Sequence, residues 1–148
     1  LVITTVILLP IATVLFFMSI HDLFKMKTVT VDPKLKEISG IEYDKYKRLW
    51  AINDSGDGPI LYMLNKDGTI EREVTVTNAK NVDWEDMTQN SFGHFFLGDF
   101  GNNDNKRRWL TIYKIENPID IKTDTTEAAL ETAEKKGMTT GITCFEII

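Results

Sequence analysis

Apolar and polar residues alternate in short runs through the middle of the chain. From residue 36 onward, runs rich in β-branched and aromatic residues are separated by turn sequences such as DKYK, DSGDG and NKDGT. The Asp67-Gly68 pair lies between two such runs and is a strong hairpin signal. Short runs joined by turns are typical of antiparallel strands rather than of alternating strands and helices. We therefore predict an all-β region over residues 36–118.

The β region contains an internal repeat. Residues 40–56 align without a gap on residues 85–101, an offset of 45 residues, which places Asp54 on Asp99. A second match places PILYMLN over LTIYKIE, so that Tyr62 falls on Tyr113, once a longer loop is allowed. A period of about 40–45 residues with up to four short strands per unit is typical of propeller blades.

The repeat predicts two consecutive four-stranded antiparallel blades. One blade has two faces to bury and must stack on a neighbour, but two blades cannot close a ring. We therefore expect a partial propeller, from a longer protein or from a small open assembly of sheets.

The first twenty residues carry no charge. A helix of that length spans about 30 Å, the thickness of the bilayer core. Residues 1–20 are therefore predicted to be a transmembrane anchor or a signal peptide, with a buried core helix as the alternative, and residues 21–35 a linker. The membrane is then a partner through residues 1–20, and the β domain is expected to be extracytoplasmic, either anchored or secreted.

Residues 119–148 are predicted to form a short helix and a terminal strand. Asp124 with Glu127 three residues later is a helix-start signal, and Lys135, Lys136 and Gly137 resemble a helix end. The sequence ITCFEII then predicts a strand at residues 142–148. Because an apolar terminal strand needs a partner, we expect the natural chain to continue.

Composition and charge exclude several kinds of function. The formal net charge of −5 argues against nucleic acid as a partner. A single cysteine rules out an intrachain disulfide, and two histidines are too few for a zinc site. No G-x-S-x-G nucleophile motif is present, and the acidic loops lack the glycine and glutamate positions of an EF-hand.

Aspartate and asparagine are concentrated in three short clusters, at residues 53–57, 81–86 and 99–103. Calcium binds carboxylate, amide and carbonyl oxygens together, so the clusters suggest a cation site. The same residues are also favoured in turns by their bonds to local backbone. Nearby, Arg107 and Arg108 follow Lys106 and are candidates for binding phosphate or another ligand. The alternatives for these arginines are a solvated hairpin tip or pairing with a nearby aspartate.

The motifs resemble the N-terminal blades of secreted bacterial β-propellers of the phytase-like, esterase-like and NHL-type group. The resemblance covers residues 37–118 and depends most on DWED followed by GDFGNN. It implies an acidic rim that holds calcium ions, which bind phosphate in phytase-like members. Carried onto this chain, it gives as metal ligands Asp54, Glu85, Asp86, Asp99 and Asn102. The resemblance ends after Pro118, so the remaining blades and any complete active site are not implied.

Three functions are compatible with these observations. The first is an extracytoplasmic propeller fragment that binds a small molecule or a protein. The second is a calcium-assisted phosphoesterase that lacks its remaining blades, and the third is a membrane-anchored structural β domain without a ligand.

Overall fold

The computed structural model describes Phe16, residues 28–139 and residues 142–147, with side chains described up to residue 130. Apart from Phe16, the predicted anchor at residues 1–20 lies outside the described residues, as does the first half of the predicted linker. The described residues contain no helix that is long and apolar enough to cross a membrane.

The described residues form a 3₁₀ turn at Pro33–Leu35 and ten strands. The strands are β1 (Ile38–Tyr43), β2 (Leu49–Asn53), β3 (Ile60–Leu64), β4 (Ile70–Val76), β5 (Trp84–Gln89), β6 (Phe95–Asp99), β7 (Trp109–Ile115), β8 (Thr125–Thr126), β9 (Ala128–Thr139) and β10 (Ile142–Ile147). The prediction of an all-β region is confirmed.

The strands form two sheets of five. The first sheet has the order β1-β2-β3-β4-β8, and the second has the order β10-β9-β7-β6-β5. All pairings are antiparallel except that β8 adds parallel to β4. The first sheet therefore contains four antiparallel strands, which β8 extends from beyond the second repeat. All five strands of the second sheet are antiparallel.

The predicted helix after residue 123 is wrong, because this segment is β9. Its ladder with β7 runs from the Trp109–Glu134 pair to the Ile115–Ala128 pair. Pairing along the whole of β7 satisfies backbone groups on both strands, which outweighs the local helix-start signals. A helix here would have had only a thin apolar stripe to bury. The terminal strand predicted from ITCFEII is confirmed as β10.

The main core lies between the two sheets. The Trp50 ring meets the Phe95 ring edge-on, with centroids 6.2 Å apart, and both side chains are fully buried. Such an aromatic pair contributes about 0.5–1.5 kcal/mol beyond the burial of its area. A smaller cluster of Leu35, Ala51, Tyr62 and Leu64 covers the outer face of the first sheet.

Strand register together with the buried faces shows that the two sheets stack front to back. Tyr62 belongs to the outer cluster, whereas Tyr113, at the same register position of the second sheet, faces the main core. Asn53 pairs with Ile38 in the first sheet, and Asp99 pairs with Trp84 in the second. Each ladder then has an irregularity just after that pair. The counterpart of Asp99 is therefore Asn53, and the repeat offset is 46 residues (Asn53 to Asp99).

The predicted equivalence of Asp54 and Asp99 is therefore wrong by one residue. It came from matching Trp50 with Phe95, which both face the shared core. In front-to-back stacking, the first sheet buries one of its faces and the second sheet buries the opposite face. Because side chains alternate between faces along a strand, matching core-facing residues shifts the alignment by one position. The equivalence of Tyr62 and Tyr113 is confirmed, since Tyr62 pairs with Ala51 as Tyr113 pairs with Leu97.

The loops gather at two opposite ends of the sheets. We call the end formed by residues 54–59, 77–83 and 100–108 the acidic rim, and the end formed by residues 44–48, 65–69 and 90–94 the basic rim. Residues 29–35 cross the outer face of the first sheet between these ends. At the basic rim the Asp32 N–H donates to Gly68 O (3.0 Å), and at the acidic rim Asn53 Nδ2 donates to Lys34 O (2.7 Å).

Candidate metal centre

Three carboxylates converge on the acidic rim. Asp54 directly follows β2 in the first sheet, Asp83 precedes β5 in the second, and Glu85 lies within β5. Each offers one oxygen within 4.8 Å of the others, and all three side chains are half-buried. The cluster therefore lies across the junction of the two sheets.

Asn81 fixes the two sides of this junction. Its Nδ2 donates to the backbone oxygens of Asn53 and Asp54, both at 2.9 Å. Its Oδ1 accepts from the Trp84 N–H at 3.1 Å. The half-buried Asn81 amide thus holds the end of β2 against the start of β5, and the backbone that it positions brings the carboxylates together.

The pKa values reflect the crowding of like charges. The pKa of Asp83 is raised by burial, by a hydrogen bond shared with Asp54, and by the Asp54 charge. The positive charge of Arg107 lowers this pKa, but only enough to offset part of the rise. The pKa of Glu85 is raised by burial and by the charges of Asp54 and Asp83. The fully ionised cluster is therefore unfavourable unless a positive charge joins it.

Gly101 makes this packing of carboxylates possible. Its N–H donates to the Asp83 backbone oxygen at 3.0 Å. A Cβ at this position would overlap the Asp83 carboxylate and lie 2.5 Å from Glu85 Oε1. The β6–β7 loop therefore lies directly against both carboxylates, and only glycine leaves room for them.

Asp99, one of the predicted ligands, is used in a structural clamp. Its side chain is almost completely buried, and Oδ1 accepts from the Asp83 N–H (3.0 Å) and from Arg107 Nη1 (2.9 Å). Arg107 also donates to the backbone oxygens of Gly101 and Asp99. Arg107 thus pairs with an aspartate, which was the alternative to phosphate binding.

The remaining predicted site residues, Asp86, Asn102 and Arg108, make hydrogen bonds or ring contacts of their own. Asp86 is exposed and accepts from the Met87 N–H. The Asn102 amide exchanges two hydrogen bonds with the Arg107 backbone, at 2.8 and 2.9 Å. The Arg108 guanidinium lies over the Trp109 ring, 5.4 Å from its centroid.

Of the five predicted ligands, the structure brings Asp54 and Glu85 together. It adds Asp83, which lies in the predicted acidic cluster at residues 81–86. The signal for Asp83 was its spacing from Glu85. Asp83 directly precedes β5, two residues before Glu85, so both carboxylates belong to the start of one strand. Asp54 also accepts from the Ser55 N–H, so it is a turn residue as well as a member of the cluster.

The donor set is suited to a hard cation. Three carboxylates without a thiol or imidazole match calcium better than zinc. Calcium takes about six to eight oxygen ligands, so three side chains leave coordination positions for water or for oxygens of a bound molecule. Comparison with family models, curated proteins and solved structures finds no match to this chain.

Proposed function

We propose that the acidic rim is a calcium-dependent binding surface carried by two blade-type units of a β-propeller. The observation that carries the proposal is the convergence of Asp54, Asp83 and Glu85 within 4.8 Å from two different sheets. A calcium ion there would neutralise the crowded charges and join the sheets at their shared edge.

The blade interpretation is supported by the way in which the sheets repeat. They stack front to back, and their second and third strands share one register around Tyr62 and Tyr113. A front-to-back stack can be extended by further sheets of the same kind, which is the principle of a propeller. The described sheets form no closed ring.

The chemistry favours binding over phosphoester hydrolysis. A calcium ion on three carboxylates keeps open positions that a carboxylate, phosphate or carbonyl oxygen of a small molecule or protein can occupy. Hydrolysis would also need cationic groups that face the phosphate, and Arg107 is committed to Asp99. The extracytoplasmic setting predicted from residues 1–20 suits a site of this kind, since extracellular calcium modules work at calcium concentrations of about 10⁻⁴–10⁻³ M.

Thermal unfolding with and without calcium tests the proposal. A ligand at about 100 times its Kd stabilises the folded state by about 2.7 kcal/mol, so calcium should raise Tm clearly and magnesium much less. Asp83→Asn should abolish the calcium-induced rise. Asp104→Asn is the matched control, because Asp104 lies on the same rim, is exposed and pairs with Lys106 at 2.7 Å.

The control variant should keep the full response to calcium. An identical calcium response in wild type and Asp83→Asn would contradict the site. Equal responses to calcium and magnesium would contradict the assignment of the ion, since magnesium demands a tighter octahedral geometry.

A further inference from the structure

The basic rim collects positive charge in a chain whose net charge is negative. Its loops carry Lys45, Lys47, Arg48 and Lys66. The one buried acid there, Asp44, is neutralised by Arg48 at 2.7 Å. Asp67 accepts from the Thr69 hydroxyl at 2.6 Å and lies within its own turn. The three lysines are exposed and present their charges to solvent.

Large apolar and aromatic side chains are exposed at the same end. Tyr43 is 51% exposed, Tyr46 63% and Phe92 77%. The Gln89 side chain donates to Tyr43 O, which fixes the end of β5 beside the end of β1. Lys45 lies over the Tyr46 ring, with Nζ 5.3 Å from the centroid. Tyrosine has an apolar ring and a polar hydroxyl, so tyrosines surrounded by cations suit the boundary between water and lipid.

The continuously described part of the chain, which starts at residue 28, also starts at this end. Val29 and Val31 line an open groove of about 810 Å³, whose other lining residues include Tyr43, Lys47 and Lys66 as well as the acidic Asp67 and Glu71. Gly68 packs against the Thr30 backbone, which fixes residues 29–31 to the basic rim. In the sequence, Lys25 and Lys27 precede this point, and the charge-free residues 1–20 precede them.

We propose that the basic rim docks on an anionic lipid surface beside the point where residues 1–20 enter the membrane. Each lysine near such a surface contributes about 1 kcal/mol, and tyrosine is favoured at the headgroup level. An acidic protein would satisfy the cations equally well. Lipid is favoured because three features lie together at the basic rim. These are the exposed aromatic side chains, the lysines, and the segment that follows the apolar residues 1–20. Docking would direct the acidic rim away from the membrane, and it does not depend on the calcium site.

A fluorescent label at the basic rim tests this orientation. The full chain would carry Tyr46→Cys with Cys144→Ser and an environment-sensitive dye, reconstituted in vesicles of phosphatidylcholine with an equimolar share of phosphatidylglycerol, or of phosphatidylcholine alone. We expect a blue shift and quenching by lipid-borne nitroxides in the anionic vesicles. The same dye at Asn103→Cys, on the acidic rim, should stay in water.

Charge reversal identifies the groups responsible. Lys45→Glu, Lys47→Glu and Lys66→Glu together should remove the blue shift, with the ratio of docked to undocked protein falling about fivefold for each lysine lost. The matched control is Lys36→Glu, Lys80→Glu and Lys106→Glu, which changes net charge equally away from the basic rim and should keep the signal. If the reversed variant is unfolded by circular dichroism, the loss of the wild-type signal at high salt replaces it.

Three results would overturn the proposal. The first is a label at position 46 that remains in water on anionic vesicles. The second is an equal blue shift on phosphatidylcholine alone, which would assign the insertion to residues 1–20. The third is binding of poly-glutamate at the basic rim without docking on vesicles, which would identify an acidic protein as the partner.

Discussion

Asp44 on one rim and the cluster around Asp83 on the other show two ways to hold carboxylates in one small β protein. Asp44 is 2% exposed and accepts from the N–H groups of Tyr46 and Arg48, from Arg48 Nε and from Trp50 Nε1. These donors lower its pKa against the opposing effect of burial. Asp83 is less buried, yet its pKa is raised.

The comparison shows that the number of hydrogen-bond donors around a carboxylate, more than its burial, determines its role in this protein. Four hydrogen bonds, one of them from the Arg48 guanidinium, offset the desolvation of Asp44, which therefore closes a turn and anchors Trp50 in the core. Asp83 and Glu85 face other carboxylates instead of donors. A carboxylate cluster of that kind is expected to bind a cation rather than to stabilise the fold.

The largest effect is expected at Asp44. Asp44→Ala would leave the Trp50 indole N–H and the Arg48 guanidinium without their acceptor, and we expect the free energy of unfolding to fall by about 3 kcal/mol. Urea unfolding measures this change. Asp67→Ala, at an exposed turn acid, is the control and should lower the free energy of unfolding far less. Equal losses of stability in both variants would contradict the stabilising role assigned to the hydrogen bonds of Asp44.

A smaller loss is expected at Gly101. Gly101→Ala would force the added methyl group against the Asp83 and Glu85 carboxylates, with a cost of about 1–3 kcal/mol, and would move the ligand oxygens apart. We therefore expect lower stability and weaker calcium binding by titration calorimetry. Gly56→Ala is a useful comparison, since its Cβ would meet no atom within 4 Å and only its φ of 89° is strained. If calcium affinity falls equally in both variants, the loop is not part of the site.

Local patterns in the sequence were enough for the strands and for much of the repeat. The hairpin at Asp67-Gly68 and the Tyr62–Tyr113 equivalence depend on turn chemistry and residue class, which act over a few residues. The strand β9 could not be found this way, because its capping signals favour a helix and only the exposed edge of β7 decides against it.

The candidate site was predictable only in part for a related reason. Acidic residues next to strand ends were visible in the sequence, but which of them receive donors depends on distant partners. Asp99 forms an ion pair with Arg107 across the β6–β7 loop, whereas the packing of the two sheets places Asp83 beside Asp54. The sequence alignment that matched Asp54 with Asp99 was also shifted by one residue. It matched core-facing residues, and the two stacked sheets bury opposite faces.

The smallest expected effect is the pH dependence of stability, and it separates the two kinds of carboxylate by sign. Asp83 and Glu85 have raised pKa values in the folded state, so the folded protein binds more protons than the unfolded one. Without calcium, their contribution is therefore present below the ordinary carboxyl pKa and is lost as pH rises through the raised values. Asp44 has a lowered pKa, as does Asp57, which accepts from the Tyr62 hydroxyl at 2.7 Å. Their contribution is therefore lost as pH falls below the ordinary aspartate value.

Urea unfolding in a chelator across this range, for wild type and for Asp83→Asn with Glu85→Gln, isolates the difference. We expect the double variant to become the more stable protein as pH rises above the ordinary carboxyl range, because it lacks the repulsion that ionisation creates. Below that range the two proteins should converge, since protonated carboxyl groups no longer repel. Calcium should reverse the order at neutral pH, because it binds the wild-type carboxylates alone. Parallel stability curves at every pH would show that Asp83 and Glu85 do not interact, and the site would lose its electrostatic basis.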